Sequence, residues 1–479
     1  MSEEIKNENE NENEDEIVES ENCGASCETL FSDNATPPPK KEKRISLHTA
    51  IFAGIALVLA AVMLTYTCLS GVYKQRIAEA QSANLVSGDD RYYPFELFDQ
   101  IFSQLSFAEL DEKEMMAAAL KAYVYATGDP YAAYYTAEEY AAMMASSEGK
   151  TQGIGVNVAY TKIEYEGKTQ EVIQIFHVTE DSPAAKAGIK AGDVIYAVES
   201  NGSFLTVDSL GYEGALQKLQ GTAGTTAKFQ ILRKENGVWG APIEKSVVRA
   251  EFTSDSVYGE VSSSGKVGII RIIQFDLTTP KQFSKVVEEL QTKKCESFVF
   301  DLRNNPGGTL QSIEAILSYF LDEGDILIRV KDKAGNEEIS KVKPVTYSGV
   351  YEGCSVSASD IGKYKNLNAV VLCNGATASA AELFTATFRD YKLGKIVGEK
   401  TYGKGSMQTI MPLIQYGYTG ALKLTTAMYY SGKDTKGYDG VGITPDYVVP
   451  LKGEGSIYIR EEADDNQLQF ATDLFEEKE

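Results

Sequence analysis

Residues 374–384 read N-G-A-T-A-S-A-A-E-L-F, directly after the apolar run A-V-V-L-C. The pattern fits a strand, a tight turn and a helix start, with the hydroxyl of Ser379 set among small residues. A nucleophilic hydroxyl needs a base, most often histidine, and the chain has only two, His48 and His177. His48 borders a long apolar stretch, and His177 lies within a strand-like run far from Ser379, so a Ser-His-Asp triad does not fit. A lysine can serve if it is neutral. Its ordinary pKa near ~10.4 must then fall by about 3 units, roughly 4 kcal/mol, and desolvation does this. The candidate is Lys404 in E-K-T-Y-G-K-G-S-M-Q (399–408), between Gly403 and Gly405 and before the apolar T-I-M-P-L-I. Lys400 stands beside Glu399 and reads as a solvated charge. On residue type alone Ser379 also fits plain close packing, and Lys404 also fits a turn residue. The zinc-peptidase motif H-E-x-x-H and the phosphate loop G-x-x-x-x-G-K-[ST] do not occur, and no metal or cofactor is expected.

These candidates sit on a run of alternating strands and helices. K-V-G-I-I-R-I-I (266–273) reads as a strand, and P-K-Q-F-S-K-V-V-E-E-L as a helix with Phe283, Val286, Val287 and Leu290 on one face. E-S-F-V-F-D-L (296–302) reads as a buried strand that turns through R-N-N-P-G-G into a second helix. Two successive strand–turn–helix units predict an α/β core with its site at the carboxyl ends of the strands. Gly307 and Gly308 lie in one such turn, where only glycine lets backbone approach a substrate closely. Asp301 and Arg303 read as a structural ion pair holding that turn.

Upstream, 91–145 is helical in character, and D-E-K-E-M-M-A-A-A-L-K-A-Y-V-Y-A (111–126) ends at T-G-D-P. Residues 151–250 read as short strands, with a bare-amide turn at Gly153, Ile154 and Gly155 able to hold a carboxylate. The segment after 451 is acidic and partly helical.

The net charge of -23 and the lack of a basic patch argue against a nucleic-acid partner. The Asn/Glu alternation in the first 21 residues cannot form a core and reads as a disordered tail. Residues 49–72 carry no charge and are long enough to span a bilayer. K-K-E-K-R (40–44) precedes them, and only Lys74 and Arg76 follow closely. The basic excess places the N-terminus inside and the body outside. Of six cysteines, Cys295, Cys354 and Cys373 fall in the body. Cys373 reads as apolar filler, and a Cys295–Cys354 bridge stays open.

T-A-S-A-A-E (377–382), T-Y-G-K-G-S-M-Q (401–408), D-L-R-N-N-P-G-G (301–308), V-G-I-T-P-D (441–446) and G-D-P-Y (128–131) together resemble the carboxyl-terminal processing peptidases, or tail-specific proteases. G-I-G with S-P-A-A-K-A-G-I-K-A-G-D resembles a PDZ domain. The resemblance covers roughly residues 90–450. It implies an α/β protease core of the crotonase-like kind with an inserted PDZ-like β-rich domain, a helical N-terminal cap and an N-terminal transmembrane helix. The expected boundaries are a cytoplasmic tail 1–45, an anchor 46–73, a helical region 74–150, a PDZ-like domain 151–252, a protease core 253–450 and a tail 451–479. The implied activity is a membrane-anchored, extracytoplasmic serine endopeptidase with Ser379 as nucleophile, Lys404 as base and Gln408 orienting the lysine. The oxyanion would meet the amide of Ala380 and that of Gly307 or Gly308. Gly153, Ile154 and Gly155 would take the carboxylate of protein or peptide substrates with apolar C-termini, and a homodimer could form through 90–126 and 451–479. Ala381 replaces a frequent serine, and 429–440 departs from the family's usual loop. Two readings compete: a non-catalytic tail-binding scaffold and a crotonase-like acyl-transfer enzyme.

Overall fold

The computed structural model describes residues 111–433 and 437–476, with 97, 98, 101, 102, 105 and 106 before them. The chain falls into two units, Met1–Ala108 and Glu109–Glu479. The apolar stretch 49–72 lies outside the described residues, as does the acidic tail before it. Among the described residues no helix is long and apolar enough to cross a membrane.

The second unit opens with helix α1 (Glu112–Ala126), strand β1 (Ala133–Tyr135) and helix α2 (Ala137–Ser147). Asp111 caps α1 by accepting from the amides of Lys113 and Glu114, while Thr136 and Glu139 close a capping box on α2.

A six-stranded insertion follows, built from β3 (Val156–Tyr165), β4 (Lys168–Val178), β5 (Val194–Ser200), β6 (Ser203–Thr206), β7 (Thr226–Leu232) and β8 (Ile243–Val248). The main path runs β8-β7-β5-β4-β3, which leaves β3 as an edge. Helix α3 (Tyr212–Leu219) covers one face and buries Ala215 and Leu219 among Ile173, Ile195 and Phe229. Entry strand β2 (Lys150–Gly153) pairs antiparallel with exit strand β9 (Ala250–Thr253), so the insertion leaves the core where it entered.

The core sheet runs β10 (Val257–Val261), β11 (Val267–Ile272), β12 (Ser297–Asp301), β15 (Asn368–Cys373), β16 (Gly394–Gly398) and β19 (Tyr447–Val448). All its pairs after β10–β11 are parallel, with Phe300 opposite Val371. Helices α4 (Thr279–Thr292), α5 (Leu310–Ser318) and α6 (Ala380–Tyr391) carry the crossovers. On their side of the sheet Phe283, Phe300, Phe320, Phe384 and Phe388 form one aromatic cluster. Phe384 and Phe388 stack at 4.5 Å, and Phe300 meets both rings edge-on.

The opposite face presents Val267, Ile269, Val299, Val370, Leu372 and Val397, and it is covered by Leu468 and Ala471 of helix α7 (Asn466–Glu476). Parallel strands buried on both faces read as unbroken apolar runs, which is why β12 and β15 show no alternation. The C-terminal segment, unremarkable in the sequence, is therefore a structural layer. Arg303, fully buried, ties it down by bonding Asp301 at 2.7 Å and Asp465 at 2.8 Å.

A second sheet was not legible in the sequence. Strand β18 (Ala421–Ser431) pairs with β17 (Ser406–Pro412), with β13 (Ile326–Asp332) and with β1, while β14 (Glu337–Lys341) pairs with β13. The expected all-helical N-terminal region thus contributes a strand to the body. Cys295, Cys354 and Cys373 are buried and free, so the Cys295–Cys354 bridge is absent.

Candidate active site

Ser379 stands where β15 ends and α6 begins, with φ 57° and ψ -121°. A non-glycine residue in this region costs about 1–3 kcal/mol and persists only when its surroundings impose it. Those surroundings are explicit. Asn374 Oδ1 accepts from the amides of Ala376 and Asn304. Thr377 Oγ1 donates to the Leu302 carbonyl at 2.8 Å, and the Ala378 amide donates to the Asn305 carbonyl at 2.9 Å. The turn after β15 is in this way sewn to the turn after β12.

Glu382 locks the arrangement. It is fully buried, and its Oε2 accepts from the Ser379 amide at 3.0 Å and from the Lys404 amide at 2.7 Å. Its Oε1 accepts from the Gly403 amide at 2.7 Å and from Thr401 Oγ1 at 2.6 Å. One carboxylate joins the serine segment to the lysine segment. The sequence reading missed this role, although Ser379 followed three residues later by Glu382 is a capping-box signature.

The glycines on either side of Lys404 are set by contact. A Cβ on Gly403 would meet the Gly442 amide nitrogen at 2.8 Å, and one on Gly405 would meet Asp439 Cβ at 3.0 Å. Gly307 sits against the serine in the same way, since a Cβ there would lie 2.7 Å from Ser379 Cβ and 2.9 Å from the Ala380 nitrogen. The Gly307 amide is already spent on Asn305 Oδ1 at 2.8 Å. Of the two expected oxyanion candidates in this turn, that leaves Gly308. The amides of Gly308 and Ala380 bond no acceptor among the described residues.

Ser379, Ala380, Gly307, Gly308, Lys404 and Gln408 all line one cleft of about 660 Å³. Its apolar wall includes Leu310, Ile313, Ile328, Leu383 and Met407. Lys404 is half-buried, and its pKa falls below the ordinary lysine value. Burial is the main cause and the nearby Lys423 the second, with Glu382 pulling the other way. Its Nζ stands 4.7 Å from the centroid of the Tyr131 ring and makes no hydrogen bond to Ser379. Ser379 Oγ instead lies 3.4 Å from Tyr429 Oη, whose hydroxyl donates to the Lys404 carbonyl at 2.9 Å. Burial pushes the Tyr429 phenol well up, so it stays protonated.

Gln408 departs from expectation. It lines the cleft, but its Nε2 bonds the Ser406 carbonyl and Oγ and Thr425 Oγ1, and it makes no hydrogen bond to Lys404. A register shift in the β17–β18 pair falls between Met407 and Gln408. Neighbours of the lysine that the sequence reading left unassigned are Tyr131, Lys423 and Tyr429. Tyr131 alone had a signal, as the last residue of G-D-P-Y.

Gly153, Ile154 and Gly155 form the turn between β2 and β3, and none of them lines the cleft. The Ile154 side chain is buried in the insertion's core, and the Ile154 carbonyl accepts from the Ala184 amide at 2.7 Å. A Cβ on Gly155 would lie 2.2 Å from Ser182 Cβ, so this turn tolerates no side chain there.

A serine at a strained strand-to-helix turn, free amides beside it and a desolvated lysine in the same cleft define a candidate hydrolase centre. The family model of peptidase family S41 matches residues 266–449. A carboxy-terminal-processing protease of Bartonella bacilliformis is 30% identical over 380 residues, which cover 78% of this chain and 79% of that one. The carboxy-terminal processing protease CtpA of Bacillus subtilis is 28% identical, over 78% of this chain and 71% of that one. A putative S41 protease from Bacteroides fragilis superposes with a TM-score of 0.52 at 20% identity, covering 78% of this chain and 93% of that one, which bears on the fold alone. The chain belongs to peptidase family S41, the carboxy-terminal-processing proteases, and is a serine-type peptidase of that family.

Proposed function

We propose that this peptidase is anchored in a membrane by residues 46–73, holds its body outside the cytoplasm, and cuts peptide bonds with a Ser379–Lys404 dyad. The observation that carries the dyad is the shared cleft, which the half-buried Lys404 and Ser379 both line together with Ala380 and Gly308, whose amides are free. Neutral Lys404 takes the proton of Ser379 Oγ as that oxygen attacks the scissile carbonyl, and an acyl-serine forms when the same proton passes to the leaving amine. Water then attacks the acyl group, giving its proton to Lys404, which passes it to Ser379 Oγ as the acyl–oxygen bond breaks and the new carboxyl terminus leaves. The developing oxyanion in each half meets the two amides, each worth about 2.7–4 kcal/mol. The positive end of α6 supports the same charge. Lys404 Nζ must swing from Tyr131 to reach the serine, and Gln408 acts by bracing Ser406 and Thr425.

The insertion is read as a PDZ domain. Its free edge at β3 takes up a substrate's apolar C-terminal strand, and the amides at Ile154 and Gly155 take the terminal carboxylate. A homodimer belongs to the same reading through α1, where Met116, Tyr123 and Tyr125 are exposed. Helix α7 is a poorer partner surface, because its apolar side already covers the core sheet.

The test is cleavage of β-casein by the full chain in detergent, comparing wild type with Ser379→Ala and Lys404→Ala. Both variants are expected to lose at least a hundredfold in rate. Equal cleavage by all three would discard the dyad. For the orientation, external protease should digest the body in intact expressing cells, and its protection there would reverse the topology.

A further inference from the structure

We infer that Tyr131 is a positioning residue that holds the protonated side chain of Lys404 away from Ser379, so that the lysine reaches the serine only in its neutral form. The inference rests on the dyad proposed above. Lys404 Nζ lies 4.7 Å from the Tyr131 ring centroid, and among the described residues it has no hydrogen-bond or ion-pair partner. A ring face attracts an ammonium through its quadrupole but offers a neutral amine almost nothing. The position over the ring therefore belongs to the charged form, which cannot accept a proton.

Tyr131 is itself fixed. Asp129 Oδ1 accepts from the Tyr131 amide at 2.9 Å and from Thr425 Oγ1 at 3.1 Å, while Oδ2 accepts from the Thr425 amide at 2.8 Å. Thr425 Oγ1 also accepts from Gln408 Nε2 at 3.2 Å. The G-D-P-Y turn is thereby bolted to the strand that floors the cleft. The same segment receives the cleft's other lysine, since Lys423 Nζ lies 5.5 Å from the Tyr135 centroid and Ala133 pairs with Lys423 in register. The groups facing Lys404 are Glu382 from α6, Lys423 and Tyr429 from β18, and Tyr131 from the turn. Tyr402 and Asp439 face Tyr131 in turn. Burial and Lys423 favour the neutral lysine, and Tyr131 and Glu382 oppose them. Of the two opposing groups only Tyr131 lies under Nζ itself.

A plain apolar floor would be served as well by leucine, and this separates the two roles. The pH dependence of kcat/KM on β-casein is measured for the full chain in detergent, for wild type, Tyr131→Phe, Tyr131→Leu and Tyr131→Trp, with Lys404→Ala alongside. Tyr131→Phe keeps the ring and should overlay wild type. Tyr131→Leu should move the acid limb down by about half to one pH unit, raising the rate several-fold on that limb. Tyr131→Trp, with the stronger ring face, should move it up. A Tyr131→Leu limb that overlays wild type overturns the inference, as does one displaced upward. If Tyr131→Leu does not fold, judged by its Tm, an unmoved limb in Tyr131→Trp overturns it instead. Full activity in Lys404→Ala would sink the dyad itself, an outcome distinct from a motionless limb beside an inactive Lys404→Ala.

Discussion

One oxygen of Glu382 accepts hydrogen bonds from the main-chain amides of both Ser379 and Lys404, residues 25 apart in the chain and held together by a carboxylate that touches neither reactive atom. Its other oxygen takes Gly403 and Thr401, so a single buried side chain satisfies four donors. Glu382→Gln can keep only part of this set, because an amide nitrogen cannot accept. Hydrogen bonds to a charged group contribute about 1.5–3 kcal/mol each. The variant should lower Tm by several degrees and cut kcat at least tenfold. An unchanged thermal melt and rate would show that the four bonds do not hold the site.

The Tyr429 hydroxyl has two acceptors in reach, the Lys404 carbonyl at 2.9 Å and Ser379 Oγ at 3.4 Å, and its one proton serves the nearer carbonyl best. Tyr429→Phe removes both contacts while leaving the ring. A several-fold fall in kcat with KM unchanged is expected from steady-state assays with a peptide substrate. A change confined to KM would place Tyr429 in substrate binding instead.

A lysine that must be neutral to act makes the rate climb with pH. The lowering of Lys404, chiefly by burial, moves that climb below the ordinary lysine value of 10.5. Lys404→Arg should be inactive across the whole range, because a guanidinium does not give up its proton in water. A flat pH–rate profile, or an active arginine variant, would contradict this.

The buried Arg303 predicts an acid limit to stability. Burial alone would raise the Asp301 carboxyl, but the guanidinium beside it outweighs that and brings the pKa to about 2. A depressed carboxylate stabilises the fold above its unfolded pKa, near ~3.9, and that contribution is lost as pH falls toward the folded value. Tm should therefore drop between about pH 4 and pH 2. Asp465→Asn leaves Arg303 short of one of its two buried anions. A loss of about 3–5 kcal/mol, read by urea denaturation, is expected, together with release of α7. A variant as stable as wild type would show that α7 is held by its apolar side alone.

Much of the site was legible because its parts are local. Ser379 stands between an apolar run and a helix start, Lys404 between two glycines, and the Gly307-Gly308 pair after a strand. Each is a short-range pattern whose backbone demands show in residue type. The α/β core was legible for the same reason, since buried parallel strands leave unbroken apolar runs. What stayed hidden depends on distant partners. Nothing near Arg303 signals that Asp465 will neutralise it, nor that an acidic C-terminal stretch will cover half of a sheet. The second sheet joins 133–135, 326–341 and 406–431, and no local periodicity reports such pairing.

The sequence by itself determined the chemical inventory: a serine, a lysine, glycines at their turns and no usable histidine, because residue type and near spacing decide those. The tertiary structure alone decided which amides stay free and which are taken. It also decided that one glutamate ties the serine to the lysine, that the lysine lies over Tyr131, and that Gln408 bonds Ser406 and Thr425. These are outcomes of packing between segments up to three hundred residues apart, where a hydrogen bond or ring contact forms only once the chain has closed.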